Sequence, residues 1–320
     1  MRLSALFLMA AFAASPALAN KVFVTNEKGN DITVLDSETF EVLATFRAGN
    51  RPRGIAISPD GKELYVCASD DDLVRVFDAE TYAELHTLPS GPNPELFILH
   101  PSGNPLYIAN EDDNIVTVVD VKTRKLLAEI PVGVEPEGMA ISPDGRIVVN
   151  TSETTNMAHF IDTESYEIVA NVLVDQRPRF AQFSADGKLL FVTAEIGGTV
   201  TVIDAATREV VHKITFAIPG VLPEAIQPVG LRITDDGKTI YVALGPSNRV
   251  AVIDGQTFEV TDYLLVGQRV WQMAFTPDQK YLFTTNGNSN DVSIIDVENR
   301  KVIKTVAVGR QPWGVVVAPN

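Results

Sequence analysis

The sequence is poor in the residues that most often carry chemistry. Its single cysteine, Cys67, excludes an internal disulfide, and its 4 histidines, at positions 86, 100, 159 and 212, are too scattered to form a metal-ligating run. Basic residues are also short, with 26 Lys and Arg against 41 Asp and Glu and a net charge of −15. That balance excludes a protein that tracks nucleic-acid phosphates or adsorbs to anionic lipid, since both need clustered Lys and Arg. There is no Gly-x-Ser-x-Gly elbow, phosphate loop, CxxCH haem attachment or Asp-x-Asp-x-Asp run. What is present is 45% hydrophobic residues with 21 Gly and 19 Pro, enough to bury a core and break it with turns, which excludes disorder and collagen-like forms.

Residues Met1 to Ala19 read as a leader: Arg2, an apolar run from Leu3 to Ala14, Pro16, and the small-x-small end Ala17-Leu18-Ala19. The run is too short for a transmembrane helix. The expectation is export to the periplasm, with cleavage before Asn20 and a single domain over residues 20–320.

The body of the chain repeats. An apolar run ends in Asp at positions 36, 78, 120, 162, 204, 254 and 296, with successive spacings of 42, 42, 42, 42, 50 and 42. A second marker keeps the same step: Ser58-Pro59-Asp60-Gly61 returns as His100-Pro101-Ser102-Gly103, Ser142-Pro143-Asp144-Gly145, Ser184-Ala185-Asp186-Gly187, Thr234-Asp235-Asp236-Gly237 and Thr276-Pro277-Asp278-Gln279. Each unit holds four short apolar runs separated by turn residues, which predicts a four-stranded antiparallel meander. In the Asp-x-x-Thr turns the carboxylate is suited to accept backbone N–H bonds. Third strands such as Val116 to Val119 are almost continuously apolar, as expected of strands buried on both faces. Four-stranded units near 42 residues long predict an all-β fold, a seven-bladed β-propeller. Because the repeat starts at a second strand, Val22 to Thr25, and stops on a first strand, Gly314 to Val317, one blade is expected to be built from both ends of the chain, leaving no open edge.

The segments Phe23-Val24-Thr25-Asn26, Tyr107-Ile108-Ala109-Asn110 and Phe283-Thr284-Thr285-Asn286 resemble the Tyr-Val-Thr-Asn repeat of bacterial and archaeal propellers. With the leader and the Gly-x-x-Pro-x-Gly entries (Gly49 to Gly54, Gly133 to Gly138, Gly309 to Gly314), the chain is similar to the propellers associated with pyrroloquinoline-quinone-dependent alcohol catabolism. That resemblance implies a periplasmic accessory role beside a quinoprotein dehydrogenase or a cytochrome c. The chain does not look like a quinoprotein dehydrogenase itself, whose blades carry recurrent Trp motifs, because only Trp271 and Trp313 are present.

Strand alternation places the Pro-Asp-Gly and Asp-x-x-Thr turns on one face, and the second-to-third loops and inter-blade links on the other. The second face varies between blades, and variable loops on a rigid scaffold are where binding concentrates. The residue after the linker Pro runs Arg53, Glu95, Glu137, Arg179, Val229, Trp271, Trp313, and the neighbouring loop column includes Glu111 and Glu153. Two readings of this ring stand side by side. In one, Arg53 and Arg179 grip an anion while Trp271 and Trp313 stack a flat or apolar group. In the other, the charges pair between blades and the Trp side chains plug the channel. The eight-residue excess falls around Phe216 to Glu224, on the same face, as a cover or partner contact or as a tolerated surface insertion. His159 replaces residues such as Thr33 and Ser293 in a strand column, which favours a satisfied strand histidine. Cys67 falls in a column of small residues, as an inert packed thiol.

No catalytic constellation, cofactor or metal site follows from these motifs, and neither pyrroloquinoline quinone nor haem binding is supported by them. The expectation is a monomeric, non-enzymatic binding or scaffold protein that holds a small anionic or aromatic ligand or a partner, and neither nucleic acid nor membrane. The alternative is a propeller lactonase, with a general acid or base among Glu95, Glu111, Glu137 and Glu153 and with Arg53 or Arg179 stabilising developing charge. A haem d1-type carrier would need axial histidines at the mouth, and none is placed there.

Overall fold

The computed structural model describes residues 20–319, so the leader expected over Met1 to Ala19 lies outside the described residues. Seven four-stranded antiparallel sheets follow one another around an axis. In blade 2, Pro52–Ile57 is innermost, followed outward by Glu63–Ala68, Leu73–Asp78 and Glu84–Pro89. Blades 3 to 7 repeat this order, with innermost strands Pro94–Leu99, Pro136–Ile141, Pro178–Phe183, Leu231–Ile233 and Val270–Phe275. Blade 1 joins the two ends of the described chain: Pro312–Val317 pairs with Lys21–Asn26 in the register Val22↔Val317 and Val24↔Val315. The expected closure is therefore present, and blade 1 has its four strands like the others.

The turns form as their residues dictate. Asp36 Oδ1 accepts the backbone N–H groups of Glu38 at 2.9 Å and Thr39 at 2.7 Å, and Asp78, Asp120, Asp162, Asp204 and Asp254 do the same in their blades. Second and third strands are buried along almost their whole length, while outer strands such as Val42–Arg47 alternate partly buried and exposed positions. The hydrophobic core is accordingly not one body but a series of layers between neighbouring blades, each filled from both sheets. Among the described residues, no helix is long and apolar enough to cross a membrane.

Two devices knit blade to blade. Thr25, Thr151, Thr193 and Thr285 each donate to a backbone carbonyl of the next blade's inner strand, those of Arg53, Pro178, Val229 and Trp313. Cys67 occupies the same column, fully buried, and burial pushes its thiol well up, as for an unreactive packed residue. The second device lies on the linker face. Asn30, Asn114, Asn156, Asn248 and Asn290 adopt left-handed backbone, and each side-chain oxygen accepts the N–H of a link residue, Arg51, Glu135, Arg177, Arg269 and Gln311. Asp72 does so for Asn93. Blade 5 has Gly198 at this position and offers no such side chain, and the link it would have held is the one carrying the insertion. There Ile218 and Ile226 are buried between blades 5 and 6, while Leu222 is 73% exposed.

Candidate functional site

The inner strands of blades 2, 3, 4, 5 and 7 slip register just after their first residue, between Pro52 and Ile55, Pro94 and Phe97, Pro136 and Met139, Pro178 and Phe180, and Val270 and Met273. The irregularity turns residues 53, 95, 137, 179 and 271 out of the ladder at the linker-face end of the channel. The predicted column is thereby gathered into one belt, and its charges are mutually paired. Arg53 contacts Glu95 and lies 3.3 Å from Glu27; Arg179 contacts Glu137 and bonds Glu153 at 2.6 Å and Glu195 at 2.8 Å.

Three arginines missed in the sequence extend the belt toward solvent. Arg51 reaches Glu95 at 3.0 Å and Glu27 at 3.2 Å, Arg177 reaches Glu153 at 2.8 Å and Glu195 at 3.1 Å, and Arg269 bonds Glu195 at 2.6 Å. Arg51 and Arg177 precede the linker prolines and Arg269 holds the equivalent position, which is the signal that could have found them. The aromatic side of the ring is packed against the same charges. Arg269 lies 4.2 Å from the Trp271 ring centroid and Arg53 lies 5.1 Å from that of Trp313, and the two indoles stand 6.4 Å apart. Trp313 is 1% exposed and its indole N–H has no acceptor. Glu111 stands apart from the ion pairs and accepts from the Asn93 amide at 2.9 Å.

Five carboxylates, Glu27, Glu95, Glu137, Glu153 and Glu195, face five guanidiniums in these pairs. The carboxylates do not share one protonation state. Burial and repulsion from Glu137 push Glu153 well up, while Glu137, despite its own burial, is held low by Arg179 and by the hydrogen bond from Glu153. Burial, opposed by Arg53, raises Glu95 to about 8. Asp70, 3.9 Å from Arg51, adds a further carboxylate at the rim. Above the belt, a cavity of about 190 Å³ is lined by Glu135, Glu153, Thr154, Asn156, Gln176, Arg177 and Ile196.

The histidines lie elsewhere. His159 accepts the Gly133 N–H at Nε2 (3.0 Å), which leaves Nδ1 to donate to Asn171 Oδ1 at 2.5 Å, so it is a satisfied strand histidine. Among the described residues no group of three or more His, Cys, Asp or Glu is placed to hold a metal ion. The insertion reaches the belt through Gln227, whose amide oxygen accepts from Arg269 at 2.7 Å.

Fold and site together define a seven-bladed propeller with a paired-charge belt across one channel mouth. The chain belongs to the lactonase family of seven-bladed β-propellers, whose model matches residues 17–130 and 162–316. Over 47 residues it is 38% identical to the uncharacterized protein YncE of Salmonella typhi, a stretch covering 15% of this chain and 13% of that protein. Two solved structures share the fold. One is hydrazine synthase of Kuenenia stuttgartiensis, at 22% identity and TM-score 0.80, covering 91% of this chain and 99% of that one. The other is a "putative 6-phosphogluconolactonase" of Bacteroides fragilis, at 19% identity and TM-score 0.79, covering 96% and 99%.

Proposed function

We propose that this protein is an exported, non-enzymatic binding or scaffold protein that uses the linker face to hold an anionic ligand or partner group. The observation that carries this reading is the belt itself. Buried carboxylates hold its arginines in fixed positions, with Arg51 and Arg177 the more exposed of them, so it provides preorganised cationic donors. Arg177, whose side chain is 40% exposed beside the rim cavity, is the group best placed to meet an incoming anion. The leader, the repeat and the Gly-x-x-Pro-x-Gly entries support a periplasmic place beside a quinoprotein dehydrogenase or cytochrome c in quinone-dependent alcohol catabolism. The net charge of −15 favours a basic partner.

Titration calorimetry of the purified protein with each of these two partner classes and with small organic anions tests the proposal. Binding that weakens in Arg177→Ala supports it, and no binding to any of them sinks it. A second reading, lactone hydrolysis, is favoured by family membership and by the raised Glu153, which could protonate a leaving alkoxide while Arg177 or Arg179 stabilises the tetrahedral oxyanion. The proposal expects no hydrolysis of sugar lactones above the buffer rate. Turnover that is lost in both Glu153→Gln and Arg179→Ala would replace it with the enzyme.

A further inference from the structure

The opposite end of the channel, on the face of the Pro-Asp-Gly turns, holds a second cavity, of about 520 Å³. Inner strands of blades 1, 2, 5, 6 and 7 line it, and Ile55, Ile57, Ile233, Phe275, Val315 and Val317 form the apolar part of its walls. Polar side chains stand among them: Gln182 and Arg232 on the inner strands, and Asp235, Thr276 and Gln279 at the turns. Gln182 and Arg232 occupy equivalent positions in neighbouring blades, in a column that otherwise reads Ala56, Ile98, Ala140, Ala274 and Val316.

Arg232 differs from the arginines of the belt in that it forms no ion pair. One of its N–H groups donates to the Leu231 carbonyl at 2.7 Å, and its guanidinium lies 5.0 Å from the Phe180 ring centroid. Burial without a compensating carboxylate lowers it to about 10, so it remains charged at neutral pH. The buried Gln182 amide oxygen likewise has no partner. A partly buried cation without a carboxylate and a buried amide oxygen without a donor both cost stability, and such costs persist where a ligand supplies the match. The charged group on the rim of the same cavity is Asp235, whose backbone N–H donates to Gln279 Oε1 at 3.1 Å.

We propose that this end of the channel is a binding site for a small organic monocarboxylate, whose carboxylate pairs with Arg232 and whose apolar body lies against the Ile, Val and Phe walls. A guanidinium presents parallel N–H donors that match one carboxylate. The single cation and the acidic rim at Asp235 disfavour a dianion such as phosphate, and the apolar walls disfavour a fully polar acid.

The test is titration calorimetry of the full protein with hexanoate and benzoate, with phosphate and succinate as comparisons. Saturable one-to-one binding of a monocarboxylate is expected, with affinity falling at least about tenfold in Arg232→Met. Gln182→Glu would supply an internal carboxylate for Arg232 and should also abolish binding while raising the melting temperature. Arg232→Met should melt no lower than the parent, because it removes a partly buried cation that has no carboxylate partner. Absence of monocarboxylate binding, equal binding by Arg232→Met, tighter binding of phosphate, or a marked loss of stability in Arg232→Met would each overturn the proposal. Monocarboxylate binding lost in Arg232→Met and kept in Arg177→Ala belongs to this cavity, whereas binding lost in Arg177→Ala alone belongs to the linker face and overturns the proposal.

Discussion

Glu153 is pushed up because it is buried beside the Glu137 carboxylate, and this has a consequence for stability. Glu153 and Glu95 are both raised above the ordinary glutamate value of 4.5. The folded protein therefore retains protons that the unfolded chain releases, and the stability these groups contribute is fully present below about pH 4.5 and declines as pH rises through their folded values. Unfolding midpoints in urea should fall between about pH 5 and about pH 9. In Glu153→Gln, which is neutral throughout, that fall should be smaller; parallel declines in parent and variant would show that Glu153 does not contribute to it. Glu137 has the opposite sign, lowered in the fold by Arg179, so its contribution is present above the ordinary value and disappears only on strong acidification. Glu137→Gln should therefore destabilise the protein at neutral pH.

At the scale of the strand, proximity to the channel axis decides which residues are tolerated. A Cβ at Gly54 would lie 2.6 Å from the Glu95 carbonyl oxygen, and one at Gly314 would lie 2.5 Å from that of Arg53, so neighbouring inner strands approach too closely there for any side chain. Gly54→Ala should cost about 1–3 kcal/mol, read as a lower urea midpoint. The threonine column is the polar counterpart of this approach. Thr151 Oγ1 donates to the Pro178 carbonyl at 3.0 Å and accepts the Gly138 N–H at 2.9 Å. Thr151→Val should cost about 2 kcal/mol, because two buried backbone groups lose their partner; a variant as stable as its parent would show that this stitch carries no net energy. The Asn column went unread in the sequence. Only the folded links reveal that Asn30 and its equivalents tie one blade's loop to the next blade's entry, and that Gly198 leaves the insertion untied.

For the whole molecule, cohesion comes from layers between blades, so the ring is only as strong as its closure. Removing residues 312–317 would expose the inner edge of Lys21–Asn26 and open the layers on both sides of blade 1. Such a chain should lose its cooperative melting transition in circular dichroism; an unchanged melting curve would refute a structural role for the closure. The protein divides its charge by face. Turn carboxylates such as Asp36 and Asp78 serve backbone N–H groups on one side, and the belt carboxylates serve arginines on the other.

The 42-residue spacing, the turn residues and the strand at each end of the repeat were enough to derive the seven blades, their four strands and the joined first blade, because those features are local and recur. The column from Arg53 to Trp313 was also legible, since equal spacing in a repeat becomes equal height in a ring. What the sequence left open was pairing. Whether Arg53 meets Glu95 or an outside anion depends on the distance between neighbouring inner strands and on the register slip that turns both side chains into the mouth. Arg232 stood in plain sight in its own column, but its lack of a carboxylate is a property of the space around it. Only the closed ring defines that space, because its walls come from five blades that are distant in the chain.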